Sequence, residues 1–94
     1  MRLGNLVVDP ARREVHVNGE MVNLRTQEFD LLRVLAEHKG FVLPREKLLE
    51  LAWGYDYYGQ TRTVDVHVAH LRKKLAGSNA KIETVTGVGY KLVA

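Results

Sequence analysis

The 94-residue chain contains no cysteine. That absence excludes disulfides, thiolate zinc sites and a cysteine nucleophile together. Long apolar runs are missing too. None exceeds three residues, as in Leu6-Val7-Val8 and Leu51-Ala52-Trp53, whereas a spanning helix needs about twenty. The opening stretch carries Asp9, Arg12, Arg13 and Glu14, so it does not read as a secretion signal. A cytoplasmic protein with no membrane partner is the expectation. The chain has no repeats, low-complexity tracts or internal linkers. It offers no carboxylate pair, no nucleophile beside a base and no phosphate loop. Gly87-Val88-Gly89 is not followed by the strand-to-helix junction of a nucleotide-binding loop. Neither an enzyme nor a cofactor is expected. His67 and His70 stand three apart on a helical stretch, but no cysteine or clustered acid completes a metal site.

What is present fits one small folded domain over residues 1–94. The hydrophobic fraction of 46% argues against intrinsic disorder. The net charge is +3, unevenly spread. Residues 1–60 hold eight basic and nine acidic side chains, residues 61–94 six basic and two acidic. The basic last third suggests a polyanionic partner.

Hydropathy patterning divides the chain. Residues 1–24 alternate and turn often, with Val15 and Val17 on one face and Asn18-Gly19 marking a tight hairpin. This predicts an antiparallel meander of three or four short strands. It is too small to be stable alone, so a helix should cover it. Thr26 to Lys39-Gly40 predicts the first helix, with Thr26 as a cap, Glu28 in its first turn and Phe29, Leu32, Leu35 and Ala36 inward. Phe41-Val42-Leu43 reads as a strand-like bridge, and Pro44 suits a first helical position. A second helix follows over Arg45–Trp53, with Trp53 in the core and Gly54 as its stop. A third spans Thr61–Leu75, where Val64, Val68, Leu71 and Leu75 form one stripe. Ile82–Thr86 and Tyr90–Val93 form a hairpin around the two glycines.

Sheet, helix, helix, loop, helix, hairpin is the layout of a winged helix, an α+β variant of helix-turn-helix. In it the last helix can enter a major groove while the hairpin reaches an adjacent minor groove. The basic third of the chain coincides with those two elements.

The residues also carry a resemblance. Thr26-x-Glu28-Phe29-x-Leu31-Leu32, Arg45-Glu46-x-Leu48-Leu49, Trp53-Gly54, Arg62-Thr63-Val64-Asp65-Val66-His67-Val68 and Thr84-Val85-x-Gly87-x-Gly89-Tyr90 resemble the effector domain of OmpR/PhoB-type response regulators. The resemblance covers essentially the whole chain. It implies a bacterial two-component transcription factor that binds double-stranded DNA in a sequence-specific way. Its activity would be driven by phosphorylation of a receiver domain of the same protein, which these residues do not include. The resemblance also implies direct-repeat half-sites, occupied by a tandem dimer on DNA, while the lack of an obvious large apolar patch beyond the tyrosine loop predicts a monomer in isolation. The chain departs from the family pattern at Ala69, His70 and Thr86, where basic residues often stand, and at Pro44, where Ser or Thr is usual. The first three departures predict a weaker or altered DNA contact.

On this layout Arg62, Lys73 and Lys74 are candidate phosphate ligands, though cations are also favoured near a helix C-terminus. Thr63 joins them at the start of the helix. Val66 suits a thymine methyl, or else packs on the second helix. Ala69 allows close approach. His67 reads as a phosphate or packing residue and His70 as groove-facing. Asp65 should orient Arg62 or an amide. Arg72 makes either an internal ion pair or a phosphate contact. Thr84 and Thr86 flank the wing and suit phosphates, or serve strand propensity alone. Tyr90 combines a core ring with a hydroxyl placed for a phosphate. Tyr55, Asp56, Tyr57 and Tyr58 form an exposed loop that in the family can meet RNA polymerase. The alternative is a winged-helix module that binds protein and has little DNA affinity.

Overall fold

The computed structural model describes residues 1–94. Four short strands come first: β1 (Arg2–Leu3), β2 (Leu6–Asp9), β3 (Glu14–Val17) and β4 (Glu20–Met21). They form an antiparallel sheet in the order β1-β2-β3-β4. The β2–β3 register pairs Leu6 with Val17 and Val8 with Val15, so these four side chains share the covered face. Asn18 and Gly19 adopt φ of 53° and 80°, the paired positive angles of a two-residue hairpin turn. The strand after that turn is shorter than the sequence suggests. Val22 and Leu24 lie beyond it and still pack on the core.

The helix α1 (Thr26–Glu37) covers the sheet and presents Phe29, Leu31, Leu32, Val34, Leu35 and Ala36 inward. Its cap differs from expectation. Arg25 is the capping residue, and the Arg25 amide donates to the Glu28 carboxylate at 2.9 Å. Thr26 is already helical. Arg13 ties sheet to helix, bonding Asp30 at 2.9 Å and lying 4.6 Å over the Phe29 ring.

The bridge strand β5 falls at Leu43–Pro44, and Phe41 is solvent-exposed. Pro44 precedes the helix rather than opening it, with φ −59° and ψ 151°. The second helix α2 (Arg45–Trp53) ends at Gly54, and α3 (Arg62–Lys74) buries Val64, Val68 and Leu71. Trp53 is half-buried at the core's edge.

The hairpin strands β6 (Lys81–Val85) and β7 (Gly89–Val93) join β5 in a second sheet, ordered β5-β7-β6. Gly87 turns the tip at φ +78°. Gly89 pairs with Pro44, and a Cβ there would collide with the Leu43 carbonyl, so the crossing of β5 requires glycine. The α3–β6 connection is stitched to the first sheet. The Asn5 side chain accepts from the Asn79 amide at 2.7 Å and donates to the Gly77 carbonyl at 3.0 Å. Twenty-three buried apolar residues from both sheets and all three helices form one core. No helix is long and apolar enough to cross a membrane.

Candidate nucleic-acid interface

The α3 stripe is buried on α1, α2 and the hairpin, so the opposite face must look outward. Arg62, Val66, Ala69 and Lys73 are exposed there. Val66 is 46% exposed. Neither Arg62 nor Lys73 forms an internal ion pair. Thr63 is half-buried, and its carbonyl accepts a bond from His67 Nδ1 at 2.8 Å. A carbonyl only accepts, so Nδ1 carries a proton and Nε2 is left for another partner. The His67 ring meets Trp53 edge-on at 4.9 Å. Of the two roles expected for His67, the internal geometry supplies packing.

Several expected contacts are committed inside the molecule. Lys74 Nζ lies 2.6 Å from Glu28 Oε1, so its ammonium is already paired with a carboxylate and is not a free phosphate ligand. His70 approaches the same group, its Nδ1 3.6 Å from Glu28 Oε2, while its side chain stays 44% exposed. Asp65 does not orient Arg62. It accepts from Arg45 Nη1 at 3.0 Å and from the Tyr90 hydroxyl at 2.7 Å. Tyr90 is therefore a core ring as expected, but its one proton goes to Asp65. A phosphate would have to compete with that carboxylate for it. Arg72 forms no ion pair. Its guanidinium donates to the Ile82 carbonyl at 2.6 and 3.1 Å and to Thr84 Oγ1 at 2.8 Å, and it lies 5.7 Å over the Tyr90 ring. Thr84 thus accepts from Arg72 while keeping its own hydroxyl proton. Thr86 stands exposed at the wing tip.

Two residues bear on this surface that the sequence pattern gave no role there. Arg45, at the start of α2, lines a depression of about 190 Å³ between the α2 start, Asp65 and the wing residues Thr84 to Tyr90. Glu28 is almost wholly buried, with its side chain 2% exposed. Both lie inside the motifs quoted above, yet their partners are distant in sequence.

The electrostatics follow the bonding. Burial pushes the Glu28 carboxyl upward, but the Lys74 bond and the Arg25 amide outweigh it, and the group stays below the usual carboxylate value. Burial, the Asp65 bond and the Asp65 charge raise the Tyr90 hydroxyl above the ordinary 10.0, against the opposing charges of Arg72 and Arg45.

The α2–α3 loop separates its tyrosines. Tyr55 and Tyr58 are largely exposed, Tyr58 at 95%, and Asp56 is exposed beside them. Tyr57 instead leans toward Trp53, with centroids 6.3 Å apart, and Gly59 sits against its ring.

A sheet, three helices and a returning hairpin that leaves one partly cationic helix face free define a winged helix-turn-helix domain. Residues 19–92 match the family described as "Transcriptional regulatory protein, C terminal", and the chain belongs to that family. It is 52% identical over 90 residues to the transcriptional regulatory protein VxrB of Vibrio cholerae, covering 96% of this chain and 36% of VxrB. It is 51% identical over 92 residues to PrrA of Mycobacterium tuberculosis, covering 96% of this chain and 40% of PrrA. The chain thus spans about two-fifths of the length of these relatives. Among solved structures, the Klebsiella pneumoniae RstA DNA-binding domain in complex with the RstA box superposes with a TM-score of 0.86 at 41% identity. That match covers 99% of this chain and 95% of the other. The DNA-binding domain of CpxR from E. coli gives a TM-score of 0.87 at 32% identity, covering 100% and 95%. The family is one of transcriptional regulators, not of enzymes.

Proposed function

We propose that this domain binds double-stranded DNA in a sequence-specific way to regulate transcription, with α3 in the major groove and the β6–β7 wing beside the adjacent minor groove. The observation that carries the reading is the division of α3. One face is sealed into the core, and the other presents Arg62, Val66, Ala69 and Lys73 to solvent. An α-helix about 10–12 Å across fits a major groove about 12 Å wide. Arg62 and Lys73 then supply phosphate contacts, and Val66 meets a thymine methyl. Thr84 and Thr86 reach phosphates from the wing. Thr86 is uncharged and too short to probe a narrow minor groove, so the wing reads little sequence.

In the same reading the domain works in the cytoplasm under a receiver domain of the same protein whose phosphorylation controls dimerisation. Copies occupy direct-repeat half-sites in tandem, about 10–11 bp apart, one helical turn of DNA. The exposed Tyr55, Asp56 and Tyr58 offer a contact for RNA polymerase. RstA in its complex with the RstA box supports the DNA partner by similarity.

The test is selection of duplexes from a random pool, followed by salt titration of the winners. The reading expects an enriched half-site and binding that weakens steeply with salt. No enrichment, together with binding to protein that is indifferent to salt, would favour the docking-module alternative. Thr86→Arg should steepen the salt slope by about 0.9 and favour A·T-rich flanks.

A further inference from the structure

Glu28 is a buried carboxylate at the start of α1 that reaches across the molecule to α3. It accepts from the Arg25 amide at 2.9 Å and from Lys74 Nζ at 2.6 Å, and it faces His70 Nδ1 at 3.6 Å. Its second oxygen meets no lysine or arginine. Around it lies an open depression of about 180 Å³ lined by Arg25, Glu28, His70, Lys73 and Lys74, with no apolar residue. Four of the five lining side chains are basic. The carboxylate at its floor offsets charge that would otherwise face solvent.

The position of this cluster on α3 matters. At about 100° per residue, His70 and Lys74 lie about 50° and about 90° round from the direction opposite the buried stripe of α3. A helix that nearly fills a major groove turns its flanks toward the phosphate walls. Lys74 therefore sits where a phosphate would pass, with its charge held by Glu28 instead. Lys73, one residue earlier, has no such partner and is free to reach a phosphate.

On the strength of the DNA-binding reading above, we propose that Glu28 is a positioning residue that holds Lys74 off the DNA backbone, and so limits the sequence-independent part of the domain's affinity. Phosphate contacts carry affinity without sequence information, while base contacts discriminate. Withholding a cation from the backbone lowers binding to every duplex equally. It leaves discrimination to Val66 and the residues beside it. Glu28 is buried and bonded by both the Arg25 amide and Lys74, which makes the arrangement a fixed feature of the fold and not a chance surface pair.

Native chain, Lys74→Ala, Glu28→Gln and the double variant are each titrated against one short duplex of mixed sequence over a range of salt. Glu28→Gln should steepen the log–log salt slope by about 0.9, one released cation, and tighten binding at low salt. The double variant should return to the native slope, and Lys74→Ala alone should leave it unchanged. A slope unaltered by Glu28→Gln, or a fall of about 0.9 on Lys74→Ala alone, overturns the proposal. A second measurement needs no substitution. Lysines of the native chain are acylated with acetic anhydride, with and without DNA, and read by mass spectrometry. Lys74 should react more slowly than Lys73 in the free chain, and DNA should protect Lys73 but not Lys74. Protection of Lys74 by DNA, or free-chain reactivity equal to that of Lys73, overturns the anchor. A native chain that binds no duplex at any salt instead refutes the DNA-binding reading, while free-chain labelling still judges the Glu28–Lys74 pair.

Discussion

The two flanks of α3 use polar residues in different ways. On one flank Arg72 and Asp65 bind the wing, through the Ile82 carbonyl, Thr84 and Tyr90, and the start of α2, through Arg45. On the other, His70 and Lys74 turn toward Glu28 of α1. The wing-side flank is a bonded scaffold that fixes a hairpin against a helix. The α1-side flank is mainly a charge balance around a single carboxylate. Between them, Arg62 and Lys73 carry no internal partner. The cations that orient the helix are thus distinct from the cations left to meet a ligand.

The flanks should respond differently to substitution. Arg72→Ala removes three hydrogen bonds from a cation and leaves the Ile82 carbonyl short of a partner. A loss of about 2 kcal/mol in chemical denaturation is expected. The opposite flank should lose less. Glu28→Gln keeps the acceptor for the Arg25 amide and leaves Lys74 able to reach water, so about 1–2 kcal/mol is expected at neutral pH. That contribution depends on acid. The folded carboxyl lies below its ordinary 4.5, so its stabilisation is whole above 4.5 and disappears as pH falls through the lower folded value. Unfolding curves of Glu28→Gln should show a shallower acid limb than those of the native chain.

Tyr90→Phe tests the wing-side flank at a single bond and should cost about 1 kcal/mol. Its pH dependence has the opposite sense. The folded hydroxyl lies above 10.0, so its stabilisation is whole below 10.0 and lost as pH rises through the folded value. The variant should lack that alkaline loss. Val66→Ala lies between the flanks and should change stability by less than about 0.5 kcal/mol. In selected duplexes it should relax preference at one base pair by about 1 kcal/mol.

Helical periodicity made the three helices legible, because the buried stripes of α1 and α3 repeat at the spacing the chain dictates. Asn18-Gly19 and Gly87 marked the turns, since few other residues accept those angles. Element ends shifted by a residue or two where capping decided them. Pro44 closed a strand instead of opening a helix, and Arg25 displaced Thr26 as the cap. The outward face of α3 was legible as a face, but the partners of its neighbours were not. Glu28 meets Lys74 across 46 residues, and Asp65 meets Arg45 across 20 and Tyr90 across 25. Periodicity says which way a side chain points along its own helix. It carries no information on which distant side chain will arrive beside it. That is why Lys74 and Tyr90 read as DNA ligands in the sequence, whereas the fold gives both a bonded carboxylate.

The most direct measurement is the salt dependence of duplex binding by Lys73→Ala beside the native chain. Lys73 is, with Arg62, a cation on the outward face that no internal partner holds. Its removal should weaken binding to all sequences alike and flatten the log–log salt slope by about 0.9. An unchanged slope with native affinity would mean that the outward face of α3 does not meet the DNA backbone, and the account of this surface would fail.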